Sequence, residues 1–162
     1  MKKILLLLTF TIFAATAFAK KTPIFKQYPA AVEKATAKKV NLASHRSARM
    51  FRTNLKNSLA EGVNFAGRYI ISTWGCGTDC IMSGIIDGRT GSVFFPRQLE
   101  GVGAGFGELS DEERLEFKKN SRLLIVRGRS GENSKQYGIA YYRWSGSSLI
   151  LLKFIKKKES GN

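Results

Sequence analysis

The chain has very few of the residues from which most metal and nucleophile sites are built. Among its 162 residues it contains one histidine, His45, and two cysteines, Cys76 and Cys80. Zinc sites with several imidazole ligands are therefore excluded, and so are most hydrolase sites. Acidic residues are also scarce, with 12 Asp and Glu against 27 Lys and Arg. Such an excess of positive charge attracts anionic partners and affects association rates more than it affects the fold.

Long apolar runs are absent except near the first residue, where residues 4–15 form one directly after two lysines. Small residues follow at Ala17 and Ala19. This order of charged, apolar and small residues predicts a signal peptide over residues 1–19, cleaved after Ala19. The apolar run is shorter than the roughly 20 residues of a membrane-spanning helix. We therefore expect a periplasmic or secreted protein with no transmembrane segment after cleavage.

The remaining chain is long enough for one domain with a single core. Residues 20–41 lack a sustained apolar period, which predicts an extended arm with one short helical turn. Residues 42–158 are expected to form a single α+β domain, and residues 159–162 a tail. Loss of the two lysines in the signal peptide lowers the formal net charge from +15 to +13.

One amphipathic helix is predicted near the start of this domain. Apolar residues recur at helical spacing, namely at Ala48, Phe51, Leu55 and Leu59. Ser44 is expected to cap the first turn of this helix, and Gly62 to end it. The other side of the helix carries a cationic stripe that consists of Arg46, Arg49, Arg52 and Lys56. A stripe of this kind is typical of a solvated face, and it also suits contact with an anionic partner.

Segments rich in β-branched and aromatic residues predict the strands. They are residues 68–74, 81–87, 92–95, 122–127, 137–144 and 147–155. Turn residues at 88–91 and 145–146 join neighbouring strands. A capping pattern at residues 110–113 predicts a short helix that ends near Lys119. The expected fold class is α+β with a mainly antiparallel sheet, built either from two similar three-stranded units or from two ordinary meanders.

Residues 74–80, with the sequence Trp-Gly-Cys-Gly-Thr-Asp-Cys, contain both cysteines. In an exported protein such a close pair predicts a disulfide between Cys76 and Cys80, which would hold a tight turn between two strands. The alternative is thiol redox chemistry or a copper site formed by the two sulfurs and His45. A nucleophilic Cys-His dyad would require a free thiol, which a disulfide removes.

The residues around this loop resemble a family of uncharacterised bacterial exported proteins with an F-A-G-x-Y and W-G-C-G-x-x-C core. The matching positions are residues 64–69, 73–77, Cys80, residues 85–87 and residues 90–91. The resemblance implies a periplasmic location and a strand-rich fold. It implies no activity and no catalytic residues.

These features favour a non-enzymatic binding protein, or an inhibitor or immunity-type protein, without a cofactor. The expected partner is anionic, either a protein or an envelope polymer, and it would contact a basic face formed by Arg46, Arg49, Arg52, Lys56, Arg127 and Arg129. The first alternative is a periplasmic thiol-redox or copper-binding protein that uses Cys76 and Cys80. The second is charge-driven binding of envelope polymer or nucleic acid, with an affinity that falls steeply with salt.

Overall fold

The computed structural model describes residues 21–103, 114–132 and 134–158. Within them one antiparallel sheet of eight strands carries the α-helix α1 (Arg52–Glu61) on one face. The strands are β1 (Tyr69–Gly77), β2 (Cys80–Asp87), β3 (Val93–Phe94), β4 (Val102–Gly103), β5 (Leu115–Phe117), β6 (Leu123–Arg129), β7 (Tyr137–Trp144) and β8 (Leu149–Lys156). The predicted α+β class is confirmed. The predicted signal peptide and tail lie outside the described residues.

The sheet consists of two three-stranded meanders linked at their centre. The strand order is β1-β2-β4-β6-β7-β8, with β3 paired to β2 and β5 paired to β6. Strands β1 to β3 form the first meander and β6 to β8 the second. Strand β4 connects them, because Val102 pairs with Ile81 and Gly103 pairs with Arg129. Short turns join β1 to β2, β2 to β3 and β7 to β8, whereas a longer connection over residues 130–136 joins β6 to β7.

Side chains that alternate along the strands build the core on both faces of the sheet. The main cluster draws on both meanders and includes Phe65, Ile71, Leu124 and Trp144. The opposite face of the first meander is covered by α1 and its neighbouring residues. The opposite face of the second meander is covered by Phe25 from the N-terminal segment. Both meanders therefore need a covering element that comes from outside the sheet.

The N-terminal segment, residues 21–41, lies along the sheet and is bonded to it. It contains one 3-10 turn, Phe25–Gln27. The backbone N–H of Glu33 donates to the carbonyl of Gly67 at 2.8 Å. Gly67 has φ +85°, and a Cβ atom there would lie 2.2 Å from the carbonyl oxygen of Ala31. Only glycine therefore allows this close approach between the segment and the start of β1.

The helical region begins differently from the prediction. A 3-10 turn, Arg46–Arg49, precedes α1 and is capped by His45, whose Nδ1 accepts the N–H of Ser47 at 3.2 Å. The predicted cap, Ser44, instead accepts the backbone N–H of Val93 at 2.8 Å through its Oγ. A long-range contact with β3 thus replaces the local capping bond that the sequence pattern favoured.

The predicted short helix does not extend to Lys119, because, among its described residues, only Arg114 is helical. Its capping residues, 110–113, lie outside them, whereas Leu115–Phe117 form strand β5. Leu115 pairs with Val126 and Phe117 pairs with Leu124 in β6. Both side chains pack in or against the main core, so partners in β6 determine this segment rather than its local capping pattern.

Candidate functional site

The cysteine loop is the turn of the β1–β2 hairpin. Cys76 and Cys80 form a disulfide with a Cα–Cα separation of 5.1 Å, as predicted. Gly77 has φ +129° and Asp79 has φ +59°, so the turn uses two positive φ angles. Residues 75–79 are exposed. The disulfide therefore closes a short, exposed loop at one end of the sheet.

An ion pair also holds this loop. Arg114, next to β5, is buried and places its Nη2 3.0 Å from Oδ1 of Asp79. Asp79 is itself exposed, with a side-chain exposure of 40%. The disulfide thus closes the end of the hairpin, and the ion pair links it to the residue before β5. Together the two contacts limit the movement of the hairpin end.

His45 is used by the fold rather than presented as a ligand. Its ring lies 4.7 Å from that of Phe95, between ring centroids, while its Nδ1 caps the 3-10 turn. The two sulfurs of Cys76 and Cys80 are bonded to each other. Among the described residues there is no group of three or more His, Cys, Asp or Glu side chains placed to hold a metal ion. A copper site at these positions would first require reduction of the disulfide.

Four of the six predicted basic residues lie together along the 3-10 turn and α1. They are Arg46, Arg49, Arg52 and Lys56, here called the α1 basic surface, and all four are exposed. None of them forms an ion pair within the described part of the chain. Met50, between them, is 77% exposed. This surface therefore combines uncompensated positive charge with one accessible apolar side chain.

The other two predicted basic residues lie on a different element. Arg127 and Arg129 are in β6, and both are only partly exposed. Arg127 forms an ion pair with Glu116 of β5. Because a carboxylate already compensates Arg127, this pair offers an anionic partner less net charge than the α1 basic surface does.

A groove of about 640 Å³ was not foreseen from the sequence. The residues that line it include His45, Phe94, Phe95, Arg97, Glu132 and Leu149. These residues come from separate segments that only the folded chain brings together. No local motif marks them, and no spacing in the sequence would have identified the groove.

A second cavity, of about 290 Å³, lies where the N-terminal segment passes the start of β1. Arg68, Tyr69, Arg122 and Trp144 contribute to its wall. Nη2 of Arg68 lies 3.1 Å from Oδ2 of Asp87 and donates to the hydroxyl of Tyr69 at 3.0 Å. Burial alone would lower the pKa of Arg68, but Tyr69 and Asp87 together raise it above its usual value. Arg68 is therefore firmly cationic and held in one orientation.

Comparisons with protein-family models, with curated proteins and with solved structures find no match to this chain. The resemblance at residues 64–91 therefore stays a prediction. None of the helices formed by the described residues is long and apolar enough to cross a membrane. The export signal predicted at residues 1–19 also stays a prediction.

Replacing both cysteines, as Cys76→Ser with Cys80→Ser, is expected to destabilise the domain by about 2 kcal/mol. The loop is short, and in the chain-entropy model a bridge over so few residues restricts the unfolded chain only modestly. Urea unfolding of the variant and of the wild type, each with and without reductant, measures the effect. Reduced wild type should match the variant. Equal stability of all four samples would contradict a stabilising bridge.

Proposed function

We propose that the protein is an exported, non-enzymatic binding protein of the inhibitor or immunity type. In this proposal the α1 basic surface contacts an acidic surface of a partner protein. The supporting observation is that residues 46–56 contain four exposed cations and no acidic residue, and none of the four has an ion pair within the described residues. The disulfide and the signal-peptide pattern support an oxidising, exported location.

The fold gives this surface a rigid support. Ala48 and Leu55 are fully buried under the 3-10 turn and α1, and they pack in the cluster that contains Ile70 of β1 and Ile86 of β2. Binding residues on a rigid support lose less conformational freedom when a partner docks. Complementary charges at such a surface increase the association rate and exclude partners of like charge.

Neutralising the α1 basic surface tests this proposal. A photo-cross-linker at Thr53, which is exposed on α1, would first trap the partner in envelope extract for identification by mass spectrometry. The affinity of the purified partner is then measured for a variant in which all four cations are replaced by Gln. If each exposed contact contributes about 0.7 kcal/mol, binding should weaken about 100-fold.

A matched control carries the same loss of charge elsewhere. It replaces four exposed lysines by Gln, namely Lys135, Lys156, Lys157 and Lys158. This control should bind the partner nearly as well as the wild type does. Equal weakening of both variants would instead indicate attraction by overall charge, as for an envelope polymer or nucleic acid. Unchanged affinity of the α1 variant would refute the proposed surface.

A further inference from the structure

We infer that the cavity between Arg68 and Arg122 binds a small oxyanion, the carboxylate or phosphate group of a low-molecular-weight ligand. Its wall also includes Tyr69 and Trp144, and we call it the Arg68 cavity. It contains none of the residues of the α1 basic surface. The Arg68 cavity is therefore a second site, and binding there does not depend on the proposed function of the α1 basic surface.

Four segments that are distant in the sequence form the Arg68 cavity, one of them through Arg122 directly before β6, and hydrogen bonds hold the segments together. The N-terminal segment contributes Ala30 and Glu33, β1 contributes Tyr69, and the turn after β7 contributes Gly146. The backbone N–H of Ala30 donates to the carbonyl of Asn120 at 2.9 Å. The hydroxyl of Tyr69 donates to the carbonyl of Gly146 at 3.3 Å. The cavity is therefore a built feature of the fold rather than a gap between loose loops.

The charges around the cavity leave one cation uncompensated. Arg68 is paired with Asp87 at 3.1 Å, and Glu33 in the cavity wall lies 4.0 Å from Arg89. Arg122 is exposed and has no ion pair within the described residues. Guanidinium groups bind carboxylate and phosphate oxygens through paired, charge-assisted hydrogen bonds. A bound group with one negative charge beside Arg122 would neutralise this remaining positive charge.

Two buried N–H groups in the cavity wall residues have no acceptor among the described residues. They are Nε of Arg68 and Nε1 of Trp144, a residue that is only 1% exposed. Both atoms have almost no accessible surface, so neither can bond directly to a molecule in the cavity. Unpaired N–H dipoles add positive potential to that of the nearby guanidinium groups. Their contribution to binding an oxyanion is therefore electrostatic, through the positive potential at the cavity wall.

The volume of about 290 Å³ restricts the ligand to a small one. A single water needs only about 10–15 Å³ on a comparable measure, so there is ample room for more than one water. Sites for drug-sized ligands begin at about 300 Å³. Inorganic phosphate or a short organic acid therefore suits the space better than a polymer or a peptide.

The indole N–H resonances of the two tryptophans provide a direct test in the full chain. Trp144 contributes to the cavity wall, whereas Trp74 packs against Phe51 on the opposite face of the sheet. Uniformly ¹⁵N-labelled protein is titrated with inorganic phosphate and, separately, with acetate at constant ionic strength. We expect a saturable shift of the Trp144 resonance with a Kd in about the millimolar range, and little change at Trp74.

Two variants separate this site from general attraction by a basic protein. Arg122→Gln should weaken the binding by about tenfold, the effect of losing one charge-assisted contact. Arg52→Gln removes the same charge from α1 and should leave the titration unchanged. Saturation with phosphate alone, acetate alone or both supports the inference and identifies the anion class. Failure of both anions to shift Trp144, or equal weakening by the two variants, would overturn it.

Discussion

Trp144→Ala is expected to destabilise the domain by about 3–5 kcal/mol, the usual loss for a large buried aromatic residue. Trp144 is 1% exposed at the end of β7 and lies among aromatic rings of the first meander and of the residues just before it. Its ring centroid is 5.3 Å from that of Tyr69, 5.5 Å from that of Phe94 and 6.4 Å from that of Phe65. Since this one side chain joins both meanders, its loss leaves a cavity at their junction. Urea unfolding measures the change.

Trp144→Phe is the matched control for this prediction. The indole N–H has no acceptor among the described residues, so Phe removes no protein hydrogen bond. Phe also keeps most of the ring contacts, and its cost should be less than half that of Ala. An alanine variant as stable as wild type would show that the two meanders do not share one core.

Leu55→Ala is expected to cost about 2–5 kcal/mol and to loosen α1 before the rest of the domain unfolds. Leu55 is the only residue of α1 that is fully buried, and it packs with Ile70, Ile86 and Phe95. Alanine keeps the helical backbone conformation and has a helix propensity similar to that of leucine. The loss of stability therefore arises from lost packing. Urea unfolding measures the change in the free energy of unfolding. Amide hydrogen exchange over Arg52–Glu61 shows whether α1 is destabilised locally.

Leu59→Ala provides the comparison on the same helix, since Leu59 is only partly buried against the same cluster. It should cost clearly less than Leu55→Ala and change exchange in α1 only slightly. Because α1 carries the α1 basic surface, the Leu55 variant should also bind the proposed partner more weakly. Equal costs at the two positions would contradict Leu55 as the anchor of α1.

Local patterns predicted most of the sheet because alternation and turn residues act over a few positions. The segment 137–144 was predicted as a strand and is β7 with the same bounds. The turn at residues 88–91 was also predicted, and it joins β2 to β3. The prediction was wrong at β5, a strand of three residues. So short a strand carries little alternation, and its pairing with β6 decides its conformation.

Among the site residues too, local sequence patterns predicted some features, whereas others depend on the tertiary structure. The prediction that Cys76 pairs with Cys80 rested on their closeness in the chain and on the expected export, and the structure contains this disulfide. The cationic stripe followed from helical spacing, and its residues are exposed as expected. That Arg127 is compensated by Glu116 did not follow from spacing, because the two residues come together only when β5 pairs with β6.

By itself, the sequence determined the strand-rich α+β class, the disulfide and the excess of positive charge. These properties depend on composition and on residues close together in the chain. Only the tertiary structure decided which cations remain uncompensated and where cavities form. The ion pair of Arg68 with Asp87, and the meeting of Arg68 with Arg122 at one cavity, join residues that are far apart in the sequence. Such contacts exist only after the N-terminal segment and both meanders have packed together.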